Sequence, residues 1–301
     1  MDDEELQVDE ETKETRSNWP SPIIRCVGGK ASLAAQIIAH MPDDMTGYVE
    51  PFFGGGAVFF QLYREGRLSK CRSNTVTIND YDTPLMEMYE EIRRDPVDVR
   101  KRIDSILEQY EKGPEATFYK IRELWNSNYV SPAKRIFLSY GAFNGLWRVN
   151  KDGKMNAPWN HKPKLTALPS LEKLKAVSQA LQPVFITSGP FDDCLRFDTD
   201  LARPGVTLYL DPPYHATFTA YTKDGFSTKE QESVMRFAGE WGSKGATVLY
   251  SNADTPFIQQ KLAELWPAGK VGYLETRRKV NSDGTGRGLV RELLVTQNGK
   301  E

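Results

Sequence analysis

The chain has 301 residues, of which 39% are hydrophobic and 11% aromatic, a composition typical of a globular protein with a sizeable core. Its formal net charge is −2, and it contains three scattered cysteines and three histidines without metal-ligand spacing. We therefore expect no zinc site, no disulfide framework and a reducing compartment. No signal peptide and no apolar stretch of about 18 residues is present, which predicts a cytoplasmic protein without a membrane span.

Charge is unevenly distributed along the chain. Residues 1–15 carry eight acids and one lysine, a net −7, so the remainder carries +5 by difference. Such a block predicts a disordered acidic tail over residues 1–18. Residues 134–175 hold nine Lys or Arg against two acids, interleaved with Phe143, Trp147 and Trp159. A solvated face is one interpretation, but basic residues with aromatic ones are the composition of a nucleic-acid surface.

The elements predicted in chain order alternate between helices and strands. They are a helix over 32–41, a strand from 48 into a glycine turn ending at 56, a helix over 57–63 and a strand over 75–79. Charged amphipathic helices follow from 84 to about 124, with breaks at 95–96 and 113–114. Residues 140–170 lose this periodicity and gain Gly, Asn, Pro and Lys.

Alternation then returns with a helix over 171–181, strands over 184–187 and 206–210, a helix over 228–241, and strands over 246–250, 271–279 and 290–297. This pattern predicts an α/β fold with helices on both faces of one sheet. The sheet domain would comprise residues 19–83 and 171–301. Residues 84–170 are then predicted to form an inserted domain.

The tetrapeptide Asp211-Pro212-Pro213-Tyr214 follows the apolar strand at 206–210. Its two prolines fix two φ angles and remove two N–H donors, which leaves backbone carbonyls as acceptors. A carboxylate, free carbonyls and an aromatic ring together suit a planar base with an exocyclic amine. The alternative is an ordinary turn with a capping aspartate.

A glycine-rich turn, Glu50–Gly56, follows the first strand, at the end where doubly wound sheets bind ligands. It does not fit G-x-G-x-x-G, and Gly28-Gly29-Lys30 lacks the P-loop spacing. A tight packing turn is an equally good interpretation. Asp80 ends the next strand, where an acid can accept both hydroxyls of a ribose or cap the following helix.

Four blocks of the chain, in order, resemble those of the Dam-type (D12 class, α-group) adenine-specific DNA methyltransferases. They are Ile24–Lys30, similar to [LI]-[KR]-W-x-G-G-K; Glu50–Gly56, similar to P-F-x-G-x-G; Asn144–Pro158, similar to the recognition core N-G-L-x-R-x-N-x-x-G-x-x-N-x-P; and Asp211–Tyr214, similar to D-P-P-Y. The resemblance spans about residues 22–297. It implies a Rossmann-like class I methyltransferase sheet, and it makes residues 84–170 a mainly helical target-recognition domain.

The resemblance implies S-adenosylmethionine as methyl donor, S-adenosylhomocysteine as product and no metal ion. It places Lys30 near the cofactor carboxylate, Phe52 near its methionine and adenosine, and Asp80 on its ribose. The full set of expected cofactor-binding residues is Cys26, Val27, Gly28, Lys30, Glu50, Pro51, Phe52, Phe53, Gly54, Gly56, Asp80, Phe191 and Asp211. Cys26 replaces a Trp that is usual in the family, and Pro190 stands where many members have an acid. Both departures leave room for weaker cofactor binding.

In the reaction that the resemblance implies, Asp211 and the Pro212 carbonyl accept hydrogen bonds from the amino group of a flipped adenine. Pro213 stiffens the loop, Tyr214 stacks on the base, and no covalent enzyme intermediate is needed. Relatives that act on RNA adenine or protein glutamine more often have Asn at the first position, and cytosine-N4 enzymes often Ser. The competing class is a methyltransferase-like protein that binds DNA without modifying it.

Arg148 is expected to read a guanine through its O6/N7 edge, with a phosphate contact as the alternative. Six basic residues are expected to contact phosphates, with plain solvated lysines as the alternative for some: Lys134, Arg135, Lys151, Lys154, Lys162 and Lys164. The expected DNA-binding set is Asn144, Leu146, Arg148, Asn150, Pro158, Lys134 and Lys162. Family members commonly act at GATC, with which the core is compatible, and some belong to restriction–modification systems. The implied partner is double-stranded DNA in a bacterial or phage-infected cell, and a monomer is compatible with the sequence.

Overall fold

The computed structural model describes residues 19–25, 28–72, 74–195, 201–215, 226–277 and 289–300. The predicted acidic tail, Cys26, Val27 and residues 281–288 lie outside this part of the chain. The described residues form two compact units. The helical unit holds residues 19–25, 83–147 and 155–183, and the sheet unit holds the remainder. The helical unit includes most of the predicted insertion, whose role in DNA recognition stays a prediction.

A seven-stranded sheet with the order β3-β2-β1-β4-β5-β7-β6 forms the sheet unit. Its strands are β1 (Gly47–Glu50), β2 (Val76–Asp80), β3 (Phe185–Ser188), β4 (Val206–Leu210), β5 (Thr247–Asn252), β6 (Lys270–Arg277) and β7 (Leu289–Gln297). Strands β1 to β5 pair in parallel, whereas β7 runs antiparallel to both β5 and β6. The order reverses between β1 and β4, and doubly wound sheets bind ligands at the carboxyl ends of strands at such a point.

Every residue of β1, β4 and β5 is buried. Strands that are buried at each position belong to a sheet covered on both faces, as the sequence predicted. The β4 sequence V-T-L-Y-L combines β-branched and aromatic side chains, which favour a pleated, packed strand. On one face, Leu208, Leu210 and Val248 join a core that includes Trp241 and Trp266.

Five of the helices in the described ranges begin after a residue whose side chain caps them. The helices are α1 (Ala34–Ala39), α2 (Ala57–Arg64), α3 (Thr83–Arg94), α4 (Pro96–Lys112), α5 (Pro114–Asn126), α6 (Pro132–Gly141), α7 (Leu171–Leu181), α8 (Thr228–Ser243) and α9 (Pro256–Leu265). The predicted breaks at 95–96 and 113–114 are helix boundaries, because a proline starts α4 and α5. The side chain of Ser227 caps α8 and forms a capping box with Glu230.

Helices α3 to α7 form the helical unit. Within it, α7 packs on α3, and Ser178 Oγ donates a hydrogen bond to the Arg93 carbonyl at 2.8 Å. After α6 the chain up to residue 170 is irregular apart from a 3₁₀ turn at Phe143–Gly145, as the sequence predicted. Among the helices of the described ranges, none is long and apolar enough to cross a membrane.

Candidate active site

Two loops lie side by side at the switch point of the sheet. The glycine loop, residues 51–56, follows β1, and the proline loop, Asp211–Tyr214, follows β4. The two strands pair directly, with Gly47 opposite Val206 and Val49 opposite Leu208. The predicted catalytic segment and the predicted cofactor loop therefore meet at one edge of the sheet.

Asp211 belongs to a charged cluster at this edge. Lys30 Nζ lies 3.0 Å from Asp211 Oδ1 and 3.8 Å from Glu292 Oε2, and it donates a hydrogen bond to the Gly28 carbonyl at 3.0 Å. Burial raises the pKa of the Asp211 carboxyl above its usual value, and the Lys30 ammonium opposes that rise. Lys30 therefore favours the ionised form of a carboxyl group that burial would otherwise neutralise.

The Oδ1 atom of Asp211 is buried, and its partner is the ammonium group of Lys30, 3.0 Å away. The side chain of Asp211 as a whole is 18% exposed, so it is accessible to solvent. An ionised carboxylate is purely an acceptor, with about four lone-pair sites on its two oxygens. The site therefore has an acceptor that suits an N–H group of a ligand.

The ring of Tyr214 is held at its hydroxyl end. Tyr214 Oη donates a hydrogen bond to Glu292 Oε2 at 2.6 Å, and Lys30 Nζ lies 4.5 Å from the ring centroid. Burial and the nearby negative charge of Asp211 raise the pKa of Tyr214 far above its usual range. The phenol therefore stays protonated and remains a donor to Glu292.

Two buried amide side chains hold the backbone on either side of Tyr214. Gln231 Nε2, from α8, donates to the Pro213 carbonyl at 2.7 Å. Asn252 Oδ1, at the end of β5, accepts from the His215 backbone N–H at 3.0 Å. Asn252 Nδ2 donates to Gln231 Oε1 at 2.9 Å, which links the two amides. Neither side chain is more than 1% exposed.

Asp80 connects the end of β2 to the glycine loop. Its Oδ2 accepts from the Gly54 N–H at 2.8 Å, and its Oδ1 accepts from the Asp82 N–H at 3.0 Å. Neither of these donors lies in a helix, so these bonds are not those of a helix N-cap. Two backbone N–H groups thus fix the orientation of this carboxylate, an acceptor of the kind that hydroxyl donors use.

Glycine is needed in the glycine loop because the turn is left-handed and crowded. Gly54 and Gly56 have φ angles of +49° and +69°. A Cβ atom on Gly56 would lie 2.4 Å from the Phe53 ring, which is itself buried against Phe59 and Phe60. Phe53, one of the predicted cofactor residues, is thus a core residue that shapes the loop.

Phe52 and Phe191 face each other with ring centroids 5.8 Å apart and planes inclined by 25°. A third ring between them would need about 7 Å, twice a carbon–carbon contact distance. A purine therefore does not fit between the two rings in this arrangement. It can stack only on an outer face of the pair. Asn79 supports both segments, because its Nδ2 donates to the Pro51 carbonyl at 3.2 Å and to the Pro190 carbonyl at 3.3 Å.

Glu50, at the end of β1, is 2% exposed and accepts a hydrogen bond from Tyr48 Oη at 2.8 Å. Burial raises its pKa well above the usual value; the Tyr48 bond opposes this rise, and the charge of Asp211 adds to it. A cationic ligand beside such a carboxyl group would favour its ionised form. Glu50 is thus suited to hold an ammonium group.

Comparison with known proteins agrees with this geometry. Residues 27–280 match the family model of the D12 class N6 adenine-specific DNA methyltransferases. The chain belongs to this family.

The methyltransferase has several named relatives. It is 30% identical over 297 residues to the type II methyltransferase M.MjaIII of Methanocaldococcus jannaschii, and the aligned region covers 91% of this chain and 98% of the relative. It is 28% identical to the DNA adenine methylase of Vibrio cholerae, over 90% of this chain and 94% of the relative. It is also 28% identical to the retron Ec67 DNA adenine methylase of Escherichia coli, over 79% of each chain. The structure of the rRNA methyltransferase aviRa from Streptomyces viridochromogenes covers 94% of this chain and 92% of its own, but its TM-score of 0.41 and 13% identity are too low for an argument.

The predicted family, the methyltransferase fold and the DNA adenine-N6 methyltransferase activity are therefore confirmed. Family membership implies S-adenosylmethionine as cofactor and DNA as substrate. The target sequence GATC and the roles of individual residues stay predictions. In the described ranges, no group of three or more His, Cys, Asp or Glu side chains is arranged to hold a metal ion.

Part of the predicted recognition core of the methyltransferase lies in the helical unit. Asn144 is exposed with a left-handed φ of +53°, Leu146 is half-buried, and Pro158 and Lys162 are exposed. The Phe143 N–H donates to the Pro158 carbonyl at 2.9 Å, which joins the two halves of the segment. The backbone is thus held while several of its side chains face solvent.

Arg148 and Asn150 belong to the sheet unit, and both are half-buried. Asn150 Oδ1 accepts from the backbone N–H groups of Asp152 and Lys154, at 3.0 and 2.9 Å. Its side-chain oxygen therefore closes the turn over residues 150–154. A contact of Asn150 with DNA would have to use its remaining amide group.

The interpretation of Arg135 as a phosphate contact is wrong. Arg135 is 4% exposed, and its guanidinium carbon lies 3.4 Å from the Trp147 ring centroid and 5.7 Å from that of Trp125. Trp147, expected on the surface, is 9% exposed. Both side chains are buried because α6 lies within the helical unit, where the cation packs on two indoles. Lys134 is half-buried and donates to the Tyr129 carbonyl at 2.5 Å.

Sequence analysis missed Gln231 and Glu292. Gln231 is one turn from the buried Val234 and Met235 on α8, so a polar residue on an apolar helical stripe was the available signal. Glu292 is an acid within the strand sequence L-V-R-E-L-L-V-T-Q, directly before the buried Leu293, Leu294 and Val295. Neither pattern reveals which partner the side chain meets.

Proposed function

We propose that the methyltransferase transfers a methyl group from S-adenosylmethionine to N6 of an adenine flipped out of duplex DNA, at the site formed by Asp211, Pro212 and Tyr214. The observation that carries this proposal is the partly exposed Asp211 carboxylate, which the Lys30 ammonium holds in its ionised form directly after β4. The amino group of adenine supplies an N–H donor for this acceptor.

The loop would activate the amine by accepting its two hydrogen bonds. The N6 lone pair of adenine is delocalised into the ring and is a poor nucleophile. Hydrogen bonds to Asp211 and to the Pro212 carbonyl draw the nitrogen toward sp³ geometry and expose the lone pair. The two prolines present no N–H group that would compete for these acceptors. Tyr214, held through its hydroxyl, provides the stacking face.

S-adenosylmethionine, when bound, supplies the methyl group on a positively charged sulfur and leaves as S-adenosylhomocysteine. Asp80 is proposed to accept the ribose hydroxyls, because two backbone N–H groups already orient its carboxylate. Glu50 is proposed to hold the cofactor ammonium, which favours the ionised form of its buried carboxyl group. Lys30 is the proposed partner of the cofactor carboxylate. No step in this scheme calls for a metal ion.

The decisive experiment for this function is methyl transfer by the wild type and by Asp211→Ala. Labelled S-adenosylmethionine is incubated with an adenine-containing duplex, with the same strand unpaired and with RNA. We expect transfer to duplex DNA and a loss of about 10²–10³-fold in Asp211→Ala, with duplex binding retained. Absence of transfer by the wild type on any DNA would contradict the proposal and favour the binding-only class. Preferential transfer to RNA would assign another nucleic acid.

Recognition is proposed to depend on Arg148 for a base and on Lys134 and Lys162 for phosphates, with GATC as the first sequence to test. Arg148→Ala should relax the preference at one base pair by about 1–3 kcal/mol. Lys162→Ala should weaken binding to all sequences alike and lower the salt slope by about one. Transfer rates on duplexes with single substitutions in the target measure the first effect, and duplex binding at several salt concentrations measures the second. Equal losses across sequences for both variants would contradict the role of Arg148.

A further inference from the structure

The two prolines stiffen the backbone of the proline loop from Asp211 as far as Pro213. The rings of Pro212 and Pro213 fix their φ angles. Asp211 and Pro212 each precede a proline, which confines their ψ angles to the extended region. The prolines do not restrain the ψ angle of Pro213 or the φ angle of Tyr214. Rotation about ψ of Pro213 moves Tyr214 relative to the two acceptors before it.

Gln231 holds the group that this rotation would move. Its Nε2 donates to the Pro213 carbonyl at 2.7 Å, and the residue is 1% exposed. Rotation about ψ of Pro213 swings this carbonyl, so the bond fixes the torsion. Because Gln231 is buried in α8 behind the loop, it acts on the reaction through Pro213.

The orientation of the Gln231 amide is itself determined. Its Oε1 accepts from Asn252 Nδ2 at 2.9 Å and from Tyr250 Oη at 3.3 Å, so its NH₂ group faces Pro213. On the other side of Tyr214, the same Asn252 holds the His215 N–H. Two linked amides from α8 and β5 thus fix the backbone before and after the stacking residue.

We propose that Gln231 is a positioning residue for methyl transfer, which sets the Tyr214 ring relative to Asp211 and the Pro212 carbonyl by holding the Pro213 carbonyl. The inference rests on the proposed role of the proline loop. It assigns a function in turnover to a buried helical glutamine that lies outside the four sequence blocks shared with the methyltransferase family.

The test is Gln231→Glu, which keeps the size of the side chain and the acceptor for Asn252 and Tyr250. The variant replaces the donor to Pro213 with a carboxylate oxygen. We expect kcat to fall about 10²-fold at pH values above the pKa of the introduced carboxyl group, which burial raises, because misplacement by about 1 Å has that effect. KM for cofactor and duplex should stay within about twofold of wild type. As pH falls and the introduced carboxyl group takes up a proton, it can donate to Pro213, and the ratio of variant to wild-type kcat should recover.

Two further variants make the test decisive. Gln231→Met removes the donor at every pH, so its kcat should be reduced equally at low and high pH. This variant replaces Gln231→Glu in the test if the buried charge of the latter prevents folding. Thr207→Val is the control, because Thr207 is a buried β4 residue whose Oγ1 has no hydrogen-bond partner in the described part of the chain. It should keep wild-type kcat. All rates are taken at a temperature well below each measured Tm.

The inference would be overturned if folded Gln231→Met had a kcat within about twofold of wild type, or if Gln231→Glu did so at pH values where its carboxyl group is ionised. A loss in Gln231→Glu that is equal at every pH would also overturn it, because restored donation is what the inference requires. These outcomes assume an active wild type and leave the proposed function intact. An inactive wild type would contradict the proposed function itself.

Discussion

The glycine loop and the proline loop lie on neighbouring strands at one edge of the sheet, and they reach their shapes by opposite means. The glycine loop uses two positive φ angles and lacks a Cβ atom where the Phe53 ring passes. The proline loop uses two ring-constrained φ angles and lacks two N–H donors. The first arrangement brings backbone close to other groups, and the second keeps acceptors fixed in space.

The two loops also differ in where their support comes from. The glycine loop is held by its own packing and by Asp80 on the adjacent strand. The proline loop is held from a distance by Gln231 on α8, Asn252 on β5 and Glu292 on β7. Changes in the glycine loop should therefore act first on stability. Changes around the proline loop should act first on turnover.

The largest expected effect is on stability, and it compares Gly56→Ala with Gly66→Ala. Both glycines have a φ of +69°, so both substitutions carry the left-handed cost of about 1–2 kcal/mol. Only Gly56 is crowded, because a Cβ atom on Gly66 meets nothing within 4 Å. Gly56→Ala should lower the free energy of unfolding by about 1–3 kcal/mol more than Gly66→Ala, as measured by urea unfolding.

Equal losses in these two variants would mean that the Phe53 ring moves aside at no cost. The proposed contrast between a crowded glycine loop and an externally supported proline loop would then fail.

An intermediate effect is expected at Glu292, which supports Tyr214 from β7. Glu292→Leu removes the acceptor of the Tyr214 hydroxyl and should lower kcat about tenfold, as the loss of one buried hydrogen bond predicts. Glu292→Gln keeps an acceptor oxygen and should stay within about twofold of wild type. The measurement is kcat at saturating cofactor and duplex. Equal rates for Leu and Gln would show that the hydroxyl contact does not position the ring.

The smallest expected effect is a shift in pH dependence in Lys30→Met. Asp211 must be ionised to accept from the amine, so kcat should rise with pH through the pKa of its carboxyl group. Burial raises that pKa and Lys30 lowers it, so removal of the ammonium should raise it further. The acid limb of kcat, at saturating cofactor, should therefore move to higher pH.

Lys70→Met is the control for this shift, because Lys70 is an exposed residue whose Nζ binds the Asp43 carbonyl. Its acid limb should match that of the wild type. An unchanged limb in Lys30→Met, or one at lower pH, would show that Lys30 does not act on Asp211.

Local patterns predicted the fold and the loops of the site, but not what supports them. The strand V-T-L-Y-L and the residues Asp211–Tyr214 are adjacent in sequence, so their order alone indicates a loop at a sheet edge. Gln231 and Glu292 reach the site only through packing of α8 and β7. The prediction that Arg135 contacts a phosphate is wrong for the same reason, because composition does not tell whether a cation on α6 faces water or two indole rings. The sequence therefore predicts local structure, but it does not predict which residues meet through tertiary packing.

The position of β7 has a consequence for the order in which the molecule is assembled. This strand pairs between β5 and β6, and it carries the carboxylate that receives the Tyr214 hydroxyl. During synthesis, a nascent chain can present Asp211 and both prolines long before Glu292 has left the ribosome. The hydroxyl of the stacking residue gains its acceptor when β7 enters the sheet, so the pairing of this strand also completes the support of the site.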